Sequence, residues 1–190
     1  MADACLVGCG LGTAPYAKRL VYTVLDQAKC PLVLDADALN ILSETPEKLL
    51  EAMKPVIITP HPGEMARLIG KKIWEIREDR IGTAKFFSAK YRVHTVLKGA
   101  GTVTASPDGK VRINMTGNPG MAKGGSGDVL AGMVGSLLAQ KHDPFVAAYA
   151  AVSLHGAAGD RCAERLSQHA MLPTDIIEAL PAVFREIEGK

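Results

Sequence analysis

Gly117-Asn118-Pro119-Gly120-Met121-Ala122-Lys123-Gly124-Gly125-Ser126-Gly127-Asp128 runs straight into an apolar stretch of helical character at 129–139, and this junction decides how the chain is read. Backbone N–H groups where a glycine-rich loop opens a helix converge on one spot and carry the positive end of the helix dipole, so such a junction holds anions. An acid at its end would repel a static phosphate. Asp128 is placed instead to take a proton from a hydroxyl about to attack one. The loop is not a Walker A motif, because Lys123 precedes the glycines and no Gly-Lys-Ser/Thr follows them. A plainer reading makes Ser126 a helix N-cap and Asp128 a favourable first-turn acid, but capping leaves the preceding glycines without a purpose.

Ahead of the loop, short apolar runs at 4–8, 31–36, 56–60 and 95–99 alternate with helical patterns at 16–28, 46–53, 62–69 and 76–92. That alternation is the mark of an α/β fold with a mostly parallel sheet under helices, and the continuous hydrophobicity of the runs suits strands buried on both faces. At 102–105 and 111–114 two further strands flank Ser106-Pro107-Asp108-Gly109, a turn suited to an antiparallel hairpin. The remainder reads as helices at 126–140, 144–166 and 173–188. The second of these carries Ala147, Ala148, Ala151, Ala157 and Ala158, a small-residue face expected to sit at the centre of a helical layer.

Composition narrows the class. With 190 residues, 47% hydrophobic and 22% charged, the chain is that of one globular domain. The net charge is +2 and the longest basic run is Lys71-Lys72, so no phosphate-tracking stripe for nucleic acid is present. Cys5, Cys9, Cys30 and Cys162 form no Cys-x-x-Cys pair and read as free thiols in a reducing cytoplasm. Residues 1–10 show no targeting pattern, and the apolar stretch 129–139 is short of the ~18 residues of a membrane span. There are 19 glycines against 5% aromatics, which points to turns that need backbone close to something.

Three more clusters lie at predicted strand ends, the edge where open parallel sheets bind ligands. Gly8-Cys9-Gly10-Leu11-Gly12, with Asp35 beyond, resembles a dinucleotide fingerprint, but its glycine spacing is G-x-G-x-G and a turn needing positive φ explains it equally well. Asp35-Ala36-Asp37-Ala38-Leu39-Asn40 and Thr59-Pro60-His61-Pro62-Gly63-Glu64 are the second pair of segments. Singly, Asp37 reads as an N-cap, Pro62 as a helix start and His61 as a loop histidine; jointly they read as a site. Lys98-Gly99-Ala100-Gly101-Thr102 closes the fourth run, with Lys98 able to reach a phosphate, though a plain strand-to-hairpin turn explains the segment about equally well. His94, His142, His155 and His169 lack metal-ligand spacing and receive no role, and no metal-binding residues are assigned.

These segments, in this order, resemble the ADP-dependent NAD(P)H-hydrate dehydratases, a family of ribokinase-like, three-layer αβα fold. LDADALN at 34–40, TPHPGE at 59–64, KGAGT at 98–102 and GNPGMAKGGSGD at 117–128 carry the likeness. The thiazole and pyrimidine vitamin kinases of the same superfamily share the glycine-rich loop and its acid but not the whole set. The resemblance implies repair of a nicotinamide coenzyme: dehydration of the S epimer of hydrated NADH or NADPH, by phosphorylation of the ring hydroxyl and loss of phosphate. ADP, or ATP in eukaryotic members, with Mg2+, is the implied phosphoryl donor.

Carried over by motif, Asp128 matches the base, Gly124, Gly125, Ser126 and Gly127 the anion-holding loop, and Lys98, Gly99, Ala100, Gly101 and Thr102 the nucleotide lining. Gly10, His61, Asp37, Asn40 and Asp128 match the substrate side. Cys9 stands where the family usually has proline. The family's domain begins well before its glycine turn, whereas seven residues precede Gly8, so an incomplete domain lacking its N-terminal third is expected, together with a homo-oligomer that covers the sheet edge. A small-molecule kinase or a non-catalytic ADP-binding fragment are the alternative functions. A Rossmann dehydrogenase leaves GGSGD unexplained.

Overall fold

The computed structural model describes residues 2–189. Among them six strands lie side by side in chain order: β1 (Cys5–Val7), β2 (Leu32–Leu34), β3 (Val56–Ile58), β4 (His94–Leu97), β5 (Val103–Ala105) and β6 (Val111–Ile113). The first four are parallel, and the hairpin β5–β6 adds antiparallel to β4, as its proline and Asp-Gly turn requires. The helices are α1 (Pro15–Gln27), α2 (Asp37–Leu42), α3 (Pro62–Ile69), α4 (Ile73–Glu78), α5 (Arg80–Tyr91), α6 (Ser126–Ala139), α7 (Pro144–Leu166) and α8 (Pro173–Ile187).

Because side chains alternate along a strand, each central strand feeds two layers. Leu32, Leu34, Ile58 and Leu97 face Val21, Leu25, Leu39, Met65 and Phe87 on one side. Val33, Ile57 and Val96 face Leu130, Val134, Ala147 and Ala151 on the other. The result is a three-layer α/β arrangement, with α7 joined to α8 through Ala158, Cys162, Met171, Ile176 and Val183. The alanine face of α7 does lie in the buried layer, since Ala147, Ala148, Ala151 and Ala158 are fully enclosed.

Several expectations change. β1 is not buried on both faces: bonded to β2 alone, it leaves Leu6 exposed. The pattern at 46–53 is a short 3-10 turn, Pro46–Glu51. The pattern at 76–92 is broken in two at Asp79, whose backbone leaves the helical region and whose carboxylate accepts from the Gly82 N–H at 2.7 Å, capping α5. Asp37 does not cap a helix; it is the first residue of α2, and Ala36 holds the N-cap position. Ser126 likewise is the first residue of α6, with Gly125 at the N-cap in a left-handed conformation, φ 94°.

The turn after β1 is seated by backbone contact. Gly8 sits at φ 130°, and a Cβ there would overlap the carbonyl of Asp35, so no other residue fits. Ala36, at φ 49°, occupies a region that favours glycine, and holds α2 against that turn.

Candidate functional site

The carboxyl ends of β1 to β4 open onto the N-terminus of α6, and the polar residues that end those strands meet there. Lys98, after β4, donates from Nζ to Asp35 Oδ1 at 2.7 Å, after β2. Asp35 is 1% exposed, so this is an ion pair at the sheet edge and not a carboxylate presented to a ribose; the dinucleotide-fingerprint reading of Gly8–12 with Asp35 is thereby set aside. Glu64 Oε2 lies 3.9 Å from the same ammonium. A Cβ added to Gly127 would come 3.3 Å from Lys98 Nζ and 3.8 Å from Asp35 Oδ2. The lysine charge therefore stands beside the first turn of α6, where N–H groups have no intrahelical acceptor.

Asp128 is exposed in that first turn, and Cys9, Asp35 and Asp128 bring ligand atoms within 4.8 Å of one another. Burial, then a hydrogen bond from the thiol to the Asp128 carboxylate and the charges of Asp128 and Asp35, push the Cys9 thiol up to about 12, against the pull of Lys98. Cys9 therefore stands protonated beside Asp128, inside the turn Gly8-Cys9-Gly10-Leu11-Gly12.

His61 is more than a loop histidine. It is the N-cap of α3: Nδ1 accepts from the N–H groups of Gly63 at 2.9 Å and Glu64 at 3.2 Å, while Glu64 Oε2 accepts from the His61 N–H at 2.7 Å. That assigns the ring proton to Nε2 and leaves a half-exposed imidazole at the sheet edge. Burial first, then the Lys98 and Arg67 cations, lower its basicity. Burial raises the Glu64 carboxyl, with Lys98 and the His61 N–H opposing.

Asp37 and Asn40 act in sequence. Asp37 Oδ2 accepts from the Gly12 N–H at 2.8 Å, tying the glycine turn to α2; Asn40 Nδ2 donates to Asp37 Oδ1 at 3.4 Å; Arg67 donates to Asn40 Oδ1 at 3.1 and 2.8 Å. Gly10 lies at the exposed tip of the same turn. On the other flank, Arg80 grips the segment 98–102: its guanidinium donates to the carbonyls of Leu97 at 3.0 Å, Lys98 at 3.3 Å and Ala100, and Thr102 Oγ1 donates to the Gly99 carbonyl at 3.0 Å. Burial lowers the basicity of Arg80.

The glycine-rich loop is fastened from behind. Asp160 accepts from the Gly117 N–H at 2.8 Å and from Asn118 Nδ2 at 2.9 Å, and Lys123 Nζ donates to the carbonyls of His169 at 2.8 Å and Met171 at 2.5 Å. Gly156 and Gly159 let the loop sit on α7, since a Cβ at either would overlap Thr116 or Met121. Behind Ser126, buried His155 approaches Ser126 Oγ at 3.5 Å; burial pushes its imidazole down to about 4, against a hydrogen bond to Ser126 and with the Lys98 charge helping.

The structure thus gathers Lys98, Gly127, Asp128 and His61 around one sheet edge, with Asp37, Asn40 and Gly10 on one flank and Gly99 to Thr102 on the other. Sequence reasoning missed Asp35, Glu64, Cys9, Arg80, Asp160 and His155 as supports. Asp35, Glu64 and Cys9, each inside a quoted segment, carried a signal that could have found them; Arg80, Asp160 and His155 did not.

A family model described as NAD(P)H-hydrate dehydratase matches residues 1–182. The chain is 47% identical over 161 residues to the ADP-dependent (S)-NAD(P)H-hydrate dehydratase of Neisseria meningitidis serogroup B, covering 83% of this chain and 54% of that protein. It is 46% identical over 186 residues to the bifunctional NAD(P)H-hydrate repair enzyme Nnr of Moorella thermoacetica, covering 98% of this chain and 35% of that one. The crystal structure of ADP/ATP-dependent NAD(P)H-hydrate dehydratase from Bacillus subtilis, co-crystallised with ATP/Mg2+, superposes with a TM-score of 0.86 at 37% identity, over 97% of this chain and 64% of that chain. A ribokinase-like superfamily protein of Enterococcus faecalis superposes with a TM-score of 0.82 at 33% identity, over 97% of this chain and 63% of that one. The fold is the three-layer ribokinase-like one. The chain spans about a third of the length of the bifunctional relatives it matches.

Proposed function

From its membership of the NAD(P)H-hydrate dehydratase family, to which the chain belongs, we propose that it carries out the ADP-dependent dehydration of the S form of hydrated NADH or NADPH. One observation carries the reading: Asp128 stands exposed in the opening turn of α6, with the Lys98 ammonium beside Gly127. A base and an anion cradle are thereby within one turn of each other, which is what hydroxyl phosphorylation needs.

Bound ADP supplies the phosphoryl group that makes the ring hydroxyl a leaving group. The residues of the chain do the rest. Gly124 to Gly127 and the α6 N-terminus hold phosphate oxygens; nothing lies within 4 Å of a Cβ at Gly124, so space is open there. Lys98 adds charge, and the segment from Gly99 to Thr102, held by Arg80, lines the nucleotide. Asp128 accepts the hydroxyl proton, with the Cys9 thiol beside it. His61 is fixed by its cap to α3, with Nε2 3.4 Å from Glu64 Oε1, and sets its half-exposed ring on the coenzyme side, while the turn carrying Gly10 is positioned by Asp37 and Asn40.

The cluster Cys9, Asp35 and Asp128 does not suit Mg2+. Its thiol is soft and protonated, and Asp35 is already paired with Lys98. We therefore take Mg2+ to enter on the phosphates of ADP.

The reading includes a homo-oligomer in the cytoplasm, which sedimentation velocity and fractionation would check. Among the described residues no helix is long and apolar enough to cross a membrane. The decisive assay incubates the chain with ADP and hydrated NADH: recovery of reduced-nicotinamide absorbance is expected, and release of a stable phosphorylated product would replace the reading with a kinase.

A further inference from the structure

Between α3 and α4 runs an open groove of about 810 Å³, lined by Gly63, Arg67, Lys71, Lys72, Trp74 and Arg77 among others. The groove wall is largely apolar; four of its lining residues, Arg67, Lys71, Lys72 and Arg77, are cationic and none is acidic. Among the described residues, none of those four makes an ion pair. Trp74, the single tryptophan, is 60% exposed in their midst. Unpaired cations around an exposed indole form a surface that suits a phosphorylated, flat, aromatic ligand: lysine and arginine for the phosphates, the indole for stacking.

The groove begins at the site. A Cβ on Gly63 would lie 2.8 Å from Cε1 of His61 on one side and 3.7 Å from Cδ1 of Ile73 on the other, and Arg67, in the groove wall, holds Asn40. A dinucleotide carries its two rings at opposite ends of a pyrophosphate, so a nicotinamide held at His61 leaves the adenosine end to be bound beyond it. The eight residues of α3 rise about 12 Å, a span one dinucleotide covers.

We infer that this groove takes the phosphorylated adenosine end of the hydrated coenzyme, its cations on the 5′- and 2′-phosphates and Trp74 against adenine, so that hydrated NADPH is favoured over hydrated NADH. The inference rests on the proposed substrate, but its binding half can be read without turnover. Trp74 emission is a direct reporter because no other tryptophan contributes. Titration with adenosine 2′,5′-bisphosphate is expected to quench it saturably, and Lys71→Glu/Lys72→Glu, both at exposed positions, to raise the half-saturating concentration about tenfold. In turnover the same variant is expected to raise KM for hydrated NADPH about tenfold and KM for hydrated NADH less, with kcat and the KM for ADP unmoved. No saturable quenching in the natively folded wild-type chain, or equal half-saturation in wild type and variant, overturns the groove. A chain that shows phosphate-dependent quenching but dehydrates neither hydrate keeps the groove and loses the proposed reaction.

Discussion

Lys98 Nζ is 2.7 Å from Asp35 Oδ1, and the same ammonium would stand 3.3 Å from a Cβ on Gly127. One cation thus neutralises a buried carboxylate at the end of β2 and faces the opening turn of α6, so the charge proposed to meet phosphate is also a structural charge. Lys98→Met is expected to lower the unfolding free energy by ~3 kcal/mol, because Asp35 is left buried and uncompensated. Adding Asp35→Asn should recover most of that loss. Urea unfolding of the wild type, both single variants and the double variant checks this, and strictly additive losses would show that the pair is not coupled.

Asp128→Asn keeps the size of the side chain and removes the base. Turnover of hydrated NADH is expected to fall ~10²–10⁴-fold while ADP affinity, set by the loop and Lys98, changes little. Calorimetric titration of ADP beside a progress curve separates the two, and near-normal turnover would remove Asp128 from the role.

Arg80 reaches the nucleotide segment only through backbone carbonyls, at Leu97, Lys98 and Ala100. Arg80→Lys retains charge but cannot bridge three acceptors with one planar fork. The KM for ADP is expected to rise about tenfold, while the KM for hydrated coenzyme stays near the wild-type value. Steady-state kinetics in both substrates tests this, and an equal rise in both constants would point to general loosening.

His155 gives the fold a pH dependence of definite sign. Its imidazole protonates at about 4 when folded against an ordinary 6.5, so the unfolded chain binds the extra proton between those values. Stability contributed by neutral His155 is full above about 6.5 and is lost as pH falls towards about 4. Burial-lowered His61 and His94 act in the same sense. Urea midpoints for the wild type and His155→Phe across this range should converge as pH falls; an unchanged difference would contradict the assignment.

Much of the architecture was legible because it rests on periodicity. The runs at 31–36, 56–60 and 95–99 became β2 to β4 since a strand buried on both faces has little choice but continuous Val, Ile and Leu. What was lost hinged on single residues. α2 has only six residues and enters from Ala36 at φ 49°, a conformation that no propensity encodes for alanine. The break between α4 and α5 depends on Asp79 accepting from the Gly82 N–H three residues ahead, which a periodic pattern over 76–92 averages away. At the site, the glycine-rich opening of α6 and the first-turn place of Asp128 could be read because they are local. The Lys98–Asp35 pair, the approach of Cys9 to Asp128 and the Asp160 anchor join residues far apart in the chain, and only the packing of sheet and helices brings them together.

The Asp160 anchor has a thermodynamic side. Gly117, Asn118 and Lys123 are each fixed to α7 or to the stretch before α8, so the glycine-rich loop gives up its conformational freedom, ~1–2 kcal/mol for each residue fixed, when the chain folds. A nucleotide bound as proposed would meet a cradle already in shape, and its affinity would not be drained by ordering the loop. On the proposed function, the same arrangement would make the C-terminal helical layer a determinant of phosphate binding, although no atom of it needs to touch phosphate.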